Sequence, residues 1–410
     1  MSDDSKVFGM SASAGRWIFV ILGMVVNFCL GAVYAYSVFK KPLEELFKIS
    51  ATQGGLPYMI FLAMFALFTF VAGKFIDKLG PRKVMMVGGA IVGIGWMLTY
   101  FASNIWMVIL TYGIVGGAGV GIVYGGPVSV ATRWFPDKKG LAVGLALAGF
   151  GGSAIATAPI ASKLIGSYGP LGAFGIMGIA FFFITIILAM PMRFPPAGYK
   201  PAGWNPPAVA TGGAASFTPG QMLKTSSFYG LWLCYILGAT AGLMAIGISA
   251  SVGREVIGLD KGAAATLVMI FAVFNGIGRP IFGALTDKIT PKWSAVLSFI
   301  LIFIASAMML AAGQGSIGLY AVAFCIFWLC LGGWLAIGPA ATAGFFGLDG
   351  YAQKYGVVFS SYGLGAIIGG IISGSAKDAF GSYTIAFYPT AGMAILGIII
   401  AIILLKPPKK

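Results

Sequence analysis

The chain is built from long apolar runs separated by short breaks rich in charge, glycine and proline. No run alternates polar and apolar residues as a membrane β-strand of about 10 residues would. Twelve runs approach or exceed the roughly 20 residues that cross a bilayer as a helix. They are 16–39, 54–76, 84–102, 106–134, 140–165, 171–192, 228–257, 262–285, 293–313, 317–346, 355–376 and 383–405. Several exceed the minimum, which predicts tilt or extension past the headgroups. The pattern therefore predicts an all-α membrane protein with twelve transmembrane helices. Before the first run comes "MSDDSKVFGMSASAGR", and the run itself is full length, so it reads as an uncleaved first helix.

The largest break, "RFPPAGYKPAGWNPPAVATGGAASFTPGQM", has the composition of a flexible linker without its own core. It divides the chain into a six-helix bundle at 1–193, a linker at 194–225 and a second six-helix bundle at 226–410. An internal repeat supports two related halves. "GKFIDKLGPRK" follows the second run and "GALTDKITPK" the eighth, so Gly73, Asp77, Lys78 and Pro81 recur as Gly283, Asp287, Lys288 and Pro291, 210 residues later. The glycines would let neighbouring helices approach. Asp77, Arg82, Asp287 and Lys288 would make charged contacts that break and reform as the halves rock.

Composition sharpens this reading. With 59% hydrophobic and 9% charged residues, a soluble fold is excluded. The net charge of +15 is spread over the breaks without interleaved aromatics, so no nucleic-acid partner is expected. Placing both termini and the even-to-odd breaks on one side gives that side eighteen cations against seven, which makes it cytoplasmic. The predicted location is the cell's inner (plasma) membrane, as a monomer in the lipid bilayer. Cys29, Cys234, Cys325 and Cys330 fall inside apolar runs and read as small buried hydrophobes. There is no histidine, which removes histidine-based metal centres, catalytic triads and proton relays. No nucleophile–base pair, metal cluster or nucleotide loop is present. Neither an enzyme nor a cofactor is expected.

One cation falls in no break. Arg279 lies nine residues before Lys288, roughly 13 Å along a helix and near the bilayer midplane. Such a charge costs about 3 kcal/mol on insertion scales and by default marks a functional site. Every one of the eleven acids lies at or near a run end or in a break, so sequence position offers no mid-membrane partner. Two readings stay open: carbonyls freed at Pro280 hold the guanidinium, or an anionic substrate supplies the missing charge. Asn275 and Phe271 share the helix face of Arg279.

The stretches "GAVYAYSVFKKPL", "GAGVGIVYG", "RWFPDKKGLA" and "FNGIGRP", with the duplicated loop motif, resemble the major facilitator superfamily. Within it they resemble the oxalate/formate antiporter family and are more distantly similar to monocarboxylate–proton symporters. The resemblance implies two pseudo-symmetric bundles, alternating access and a central site. In oxalate carriers the matching arginine binds one carboxylate and a lysine in helix eleven the other. Here Tyr362 stands at that lysine's position, which favours a small monocarboxylate such as lactate or pyruvate over oxalate. In animal-type carriers an aspartate stands four residues before the arginine; here it is Asn275. Co-transport with a proton is still expected, since anion plus proton moves no net charge. Glu255 and Asp378 are the candidate proton groups. The resemblance also places Tyr34 and Tyr124 as hydrogen-bonding cavity residues, and Leu145, Leu335, Phe359 and Tyr362 as an apolar wall. An oxalate:formate type of exchange is the alternative, and an anion channel the alternative from another class.

Overall fold

The computed structural model describes residues 6–196, 198–201, 217–347 and 350–408, apart from the side chains of Asp77, Lys139 and Ala352. Nine helical runs among them are long and apolar enough to cross a membrane. Two of the nine are double. Leu141–Ala189 breaks at Gly169 and Lys261–Ala311 breaks at Thr290. The shorter helix Pro81–Thr99, which opens with Arg82 and Lys83, makes twelve.

These twelve are α1 (Ala12–Phe47), α2 (Ala51–Leu79), α3 (Pro81–Thr99), α4 (Ile105–Trp134), α5 (139–168), α6 (170–189), α7 (Ser226–Glu255), α8 (261–289), α9 (291–311), α10 (Ile317–Phe346), α11 (Tyr351–Phe380) and α12 (Tyr383–Leu404). A two-stranded hairpin, Lys6–Val7 with Met10–Ser11, precedes α1. The first six helices pack mainly among themselves, as do the last six. The halves meet where α2 packs along α11, α5 against α8, and α1 and α5 approach α7 and α8.

The repeat is visible in the backbone. Gly80 has φ 80 and ψ 157, and Thr290, 210 residues on, has φ 76 and ψ 156. Each precedes a proline that starts the next helix, so one turn geometry closes both motif copies. A positive φ is easy for glycine and strained for a β-branched threonine. The motif glycines, expected as points of close approach, are not so placed. A Cβ at Gly73 would meet nothing within 4 Å, and one at Gly283 only the Ala336 methyl at 3.9 Å.

Two charged segments differ from the sequence reading. The first apolar run was expected to end at 39, but α1 continues to Phe47 and carries Lys40, Lys41 and Glu44 on helix. The reason is pairing: Lys40 Nζ lies 3.1 Å from Glu44 one turn on, so neither charge enters the bundle alone. Lys354, expected in a break, is fully buried on α11 and donates to the Phe346 and Gly347 carbonyls at the end of α10. Most of the linker, 202–216, lies outside the described residues; at its far end the Phe217 amide donates to the Phe346 carbonyl. All four cysteines are free thiols, three of them buried.

Candidate functional site

Arg279 is placed by an unusually close contact between α8 and α10. A Cβ at Gly278 would collide with the Leu329 carbonyl oxygen, and one at Gly332 with the Asn275 carbonyl oxygen. Glycine at both positions brings the two backbones together. Asn275 is then fixed by a bond from Nδ2 to the Trp328 carbonyl, 3.1 Å. Trp328 is itself anchored, with its indole N–H donating to Ser249 Oγ at 3.1 Å. Phe271, one turn back, packs on Tyr320, Phe324 and Trp328.

From this base the guanidinium crosses to the other half of the molecule. Arg279 is 8% exposed, and Nη1 donates to the Leu147 carbonyl of α5 at 2.8 Å. The carbonyl that holds it therefore comes from α5, not from a kink at Pro280. It holds one nitrogen by a well-formed bond: Nε and Nη2 are buried with no bond of good geometry, although the Tyr124 phenol lies beside the guanidinium, and Asn275 Oδ1 is buried without a partner. Among the described residues no carboxylate pairs with Arg279. Gly151 of α5 faces this group; a Cβ there would lie 2.9 Å from Asn275 Oδ1 and 3.4 Å from Arg279 Nε. Each unmet buried donor costs about 1–3 kcal/mol, and a buried charge without a counter-charge costs more.

Aromatic residues from both halves wall the same region. Tyr124 faces the guanidinium, and Phe65, Phe150 and Phe359 surround Tyr124 at centroid distances of 5.0, 5.5 and 6.4 Å. Tyr34 and Tyr362, from α1 and α11, share a 2.7 Å hydrogen bond between their hydroxyls. Tyr362, expected as apolar wall, thus brings a polar group that engages Tyr34. Phe359 stacks on Tyr362 at 5.0 Å. The two leucines are less central: Leu145 is 40% exposed and Leu335 half-buried. Sequence reasoning missed Phe65, Phe150, Trp328 and Tyr235. Tyr235 has a buried hydroxyl beside the Tyr355 phenol but with no bond of good geometry, and packs against Phe359. No charge or motif marked these four; they are found only through contacts between helices, which for Phe65 and Trp328 cross the halves.

At the end of the bundle that carries the loop motifs, Arg82, Asp287 and Lys288 are exposed and join no ion pair among the described residues. The Asp77 side chain lies outside the described residues. The "RWFPDKKG" stretch instead builds a clasp. Asp137 takes both terminal nitrogens of Arg16, at 2.6 and 2.7 Å, and Arg16 also donates to the Trp134 carbonyl. Arg16 lies over the Phe135 ring, and the Trp134 indole donates to the Arg193 carbonyl. Burial opposes ionisation of Asp137, but the Arg16 bonds outweigh it and hold the carboxyl below the usual carboxylate range.

The opposite end is latched by charge. Glu255 of α7 contacts Lys41 of α1 at 3.5 Å and Lys377 of α11 at 2.6 Å. Asp378 accepts from the Ala51 and Thr52 amides at the start of α2, at 2.8 and 3.0 Å, joining the halves through a helix N-terminus. Lys40 donates to the Tyr383 hydroxyl of α12 at 2.6 Å. The two acids singled out in the sequence are thus both partners in contacts between the halves.

The sequence matches the family model described as Major Facilitator Superfamily over residues 17–253 and 231–410. It is 29% identical over 401 residues to an oxalate:formate antiporter of Oxalobacter formigenes, covering 96% of this chain and 94% of that one. It is 25% identical over 391 residues to the human protein monocarboxylate transporter 11, covering 93% and 81%. A solved bacterial homologue of the human lysosomal transporter Spinster, inward-facing and unoccupied, shares its fold with a TM-score of 0.74 at 17% identity, covering 96% of this chain and 98% of that one.

Proposed function

The chain belongs to the major facilitator superfamily, and we propose that it is a secondary transporter of a small monocarboxylate of the lactate or pyruvate type, moved together with a proton. One observation carries this reading. A permanently charged guanidinium sits between the halves with no bond of good geometry to Nε or Nη2 and, among the described residues, no carboxylate against it. A substrate carboxylate answers both deficits at once, accepting two parallel bonds and supplying the counter-charge. Asn275, Tyr124 and Tyr34 are then the groups that orient its remaining oxygens, and Leu145, Leu335, Phe359 and the ring of Tyr362, though not its hydroxyl, the wall that takes its short alkyl end. The Tyr34–Tyr362 pair offers hydroxyls where a second cation would be needed for a dianion, and this favours one carboxylate.

The latched end faces outward in this proposal, with both termini cytoplasmic in the cell's plasma membrane, and the transporter works as a monomer. Arg279 reaches from α8 to α5, so substrate that takes over its nitrogens acts on a contact between the halves. Protonating Glu255 would weaken its pairs with Lys41 and Lys377, and protonating Asp378 would weaken its hold on α2. Either event loosens the outer end, which links proton uptake to outward opening. Gly73, Asp77, Arg82, Gly283, Asp287 and Lys288 are the proposed conformational motif of the inner end, whose charged contacts break and reform as the halves rock.

Exchange of the oxalate:formate type is the second reading, favoured by the similarity to the Oxalobacter protein over nearly the whole chain. Proteoliposomes holding purified protein separate the two. Symport predicts that an inward-acid gradient drives accumulation of labelled lactate, with pyruvate competing and oxalate not. If the gradient changes nothing while internal formate accelerates uptake, exchange is the correct reading.

A further inference from the structure

A cavity of about 220 Å³ lies at the latched end, where α1, α5, α7 and α8 come together between the halves. It is not the Arg279 region. Its wall includes Ala265 of α8, fourteen residues or about 21 Å along the helix from Arg279. Three cations line it, Lys41, Arg254 and Lys261, and no carboxylate among the described residues does. Lys41 already pairs with Glu44 and Glu255, at 3.9 and 3.5 Å. Arg254 and Lys261 join no ion pair among the described residues.

The other polar lining residues are serines: Ser37, Ser162 and Ser251. Ser37 and Ser251 are each 1% exposed. Ser37 Oγ is buried without a hydrogen-bond partner, and Ser251 Oγ has the Tyr383 phenol beside it but no bond of good geometry. Buried hydroxyls without partners are donors waiting for an acceptor. Cations gathered in a cleft with low-dielectric walls raise the local anion concentration. The volume takes a two- or three-carbon acid together with several waters at about 30 Å³ each.

We propose that this cavity is a second anion site, holding a small carboxylate monoanion between the halves before it reaches Arg279 and after it leaves. The ligand class rests on the transport reading above; the anion site itself rests on the cavity. Arg254 and Lys261 supply the charge and the Ser37 and Ser251 hydroxyls supply the directional bonds. The site is a waiting position at the mouth of the path, and it raises the rate of capture more than the final affinity.

The test uses full-length protein in which the four native cysteines are replaced by alanine and Ser162→Cys places one thiol in the cavity wall. Rates of modification by anionic sulfonatoethyl and cationic trimethylammonioethyl methanethiosulfonate are each normalised to the rate on a small free thiol. The anionic reagent should be favoured at least ten-fold, and adding Arg254→Gln with Lys261→Gln should bring the ratio within two-fold of unity. Lys261→Glu alone, at an exposed position, serves where the double variant does not fold, and should lower the ratio several-fold. Sodium lactate should slow the anionic reagent more than equal sodium chloride does, and should still do so with Arg279→Lys. Equal normalised rates, or chloride protecting as well as lactate, would overturn the proposal. So would protection that disappears with Arg279→Lys, because it would then belong to the deeper site. If the Ser162→Cys protein shows the charge preference while wild-type protein moves no lactate, the transport reading fails and the anion site stands.

Discussion

Arg16 and Arg279 are both buried arginines, 5% and 8% exposed, and they are treated in opposite ways. Arg16 is matched to a carboxylate through both terminal nitrogens, accepted by the Trp134 carbonyl, and laid over an aromatic ring; only its Nε is left over. Among the described residues Arg279 has one carbonyl, two nitrogens without a bond of good geometry, and no carboxylate. A protein that needs a cation for architecture supplies the counter-charge from its own chain. One that leaves it out, at a position reached from both halves, leaves room for an anion from elsewhere. The difference lies in the partners, since burial and residue type are alike.

The contrast can be broken or sharpened by substitution. The largest effect is expected from Arg279→Lys. An ammonium lacks the planar fork that makes two parallel bonds to a carboxylate while a further N–H reaches the Leu147 carbonyl, and each charge-assisted bond is worth about 1.5–3 kcal/mol. Lactate uptake should fall at least about 100-fold while the protein still inserts and elutes as a single species; near-wild-type uptake would remove Arg279 from the site.

Next comes Asn275→Asp, which turns Arg279 into a second Arg16. The new carboxylate would face the free Nε and Nη2 and compete with substrate while ionised. Uptake at neutral pH should drop about ten-fold, a loss of about 1.4 kcal/mol, and recover in part as acid protonates the aspartate. A pH-independent loss would show that the substitution acts by distortion instead.

Tyr362→Phe removes the hydroxyl shared with Tyr34 and leaves the ring stack intact. A single hydrogen bond is worth about 1 kcal/mol, so KM should rise about five-fold with little change in maximal rate. The smallest effect on transport is expected from Asp137→Asn. It should lower the melting temperature in detergent, by roughly 2 kcal/mol of stability, and leave KM for lactate within about two-fold, since a structural partner contributes no substrate contact. The Asp137 carboxyl is held below its ordinary value, so its stabilisation is present above the unfolded pKa and is lost as pH falls through the folded one.

Much of the architecture was legible in the sequence because it follows from local rules. Apolar length marks a span, and proline with a preceding turn marks its end. The 210-residue offset of the loop motif reappears as matching turns at Gly80 and Thr290. Arg279 was legible for the same reason, as a charge where local rules forbid one. What could not be read depends on partners far apart in the chain. Lys40 and Glu44 looked like loop charges because helix pairing and the Tyr383 hydroxyl, 343 residues away, make their burial tolerable. The Tyr34–Tyr362 bond spans 328 residues, and the Leu147 carbonyl that takes Arg279 is 132 residues away. "RWFPDKKG" carries a family resemblance in sequence, yet its physical role as a clasp on Arg16 depends on the fold. The motif glycines show the reverse error, since a small residue signals possible contact without requiring it.

Equilibrium binding of lactate to purified protein, by titration calorimetry at neutral pH, bears most directly on Arg279 as the anion's partner. Wild type and Asp137→Asn should bind with similar affinity, while Arg279→Lys should show affinity at least about 100-fold weaker. Equal binding by wild type and Arg279→Lys, or lactate binding lost only when Asp137 is changed, would contradict the account.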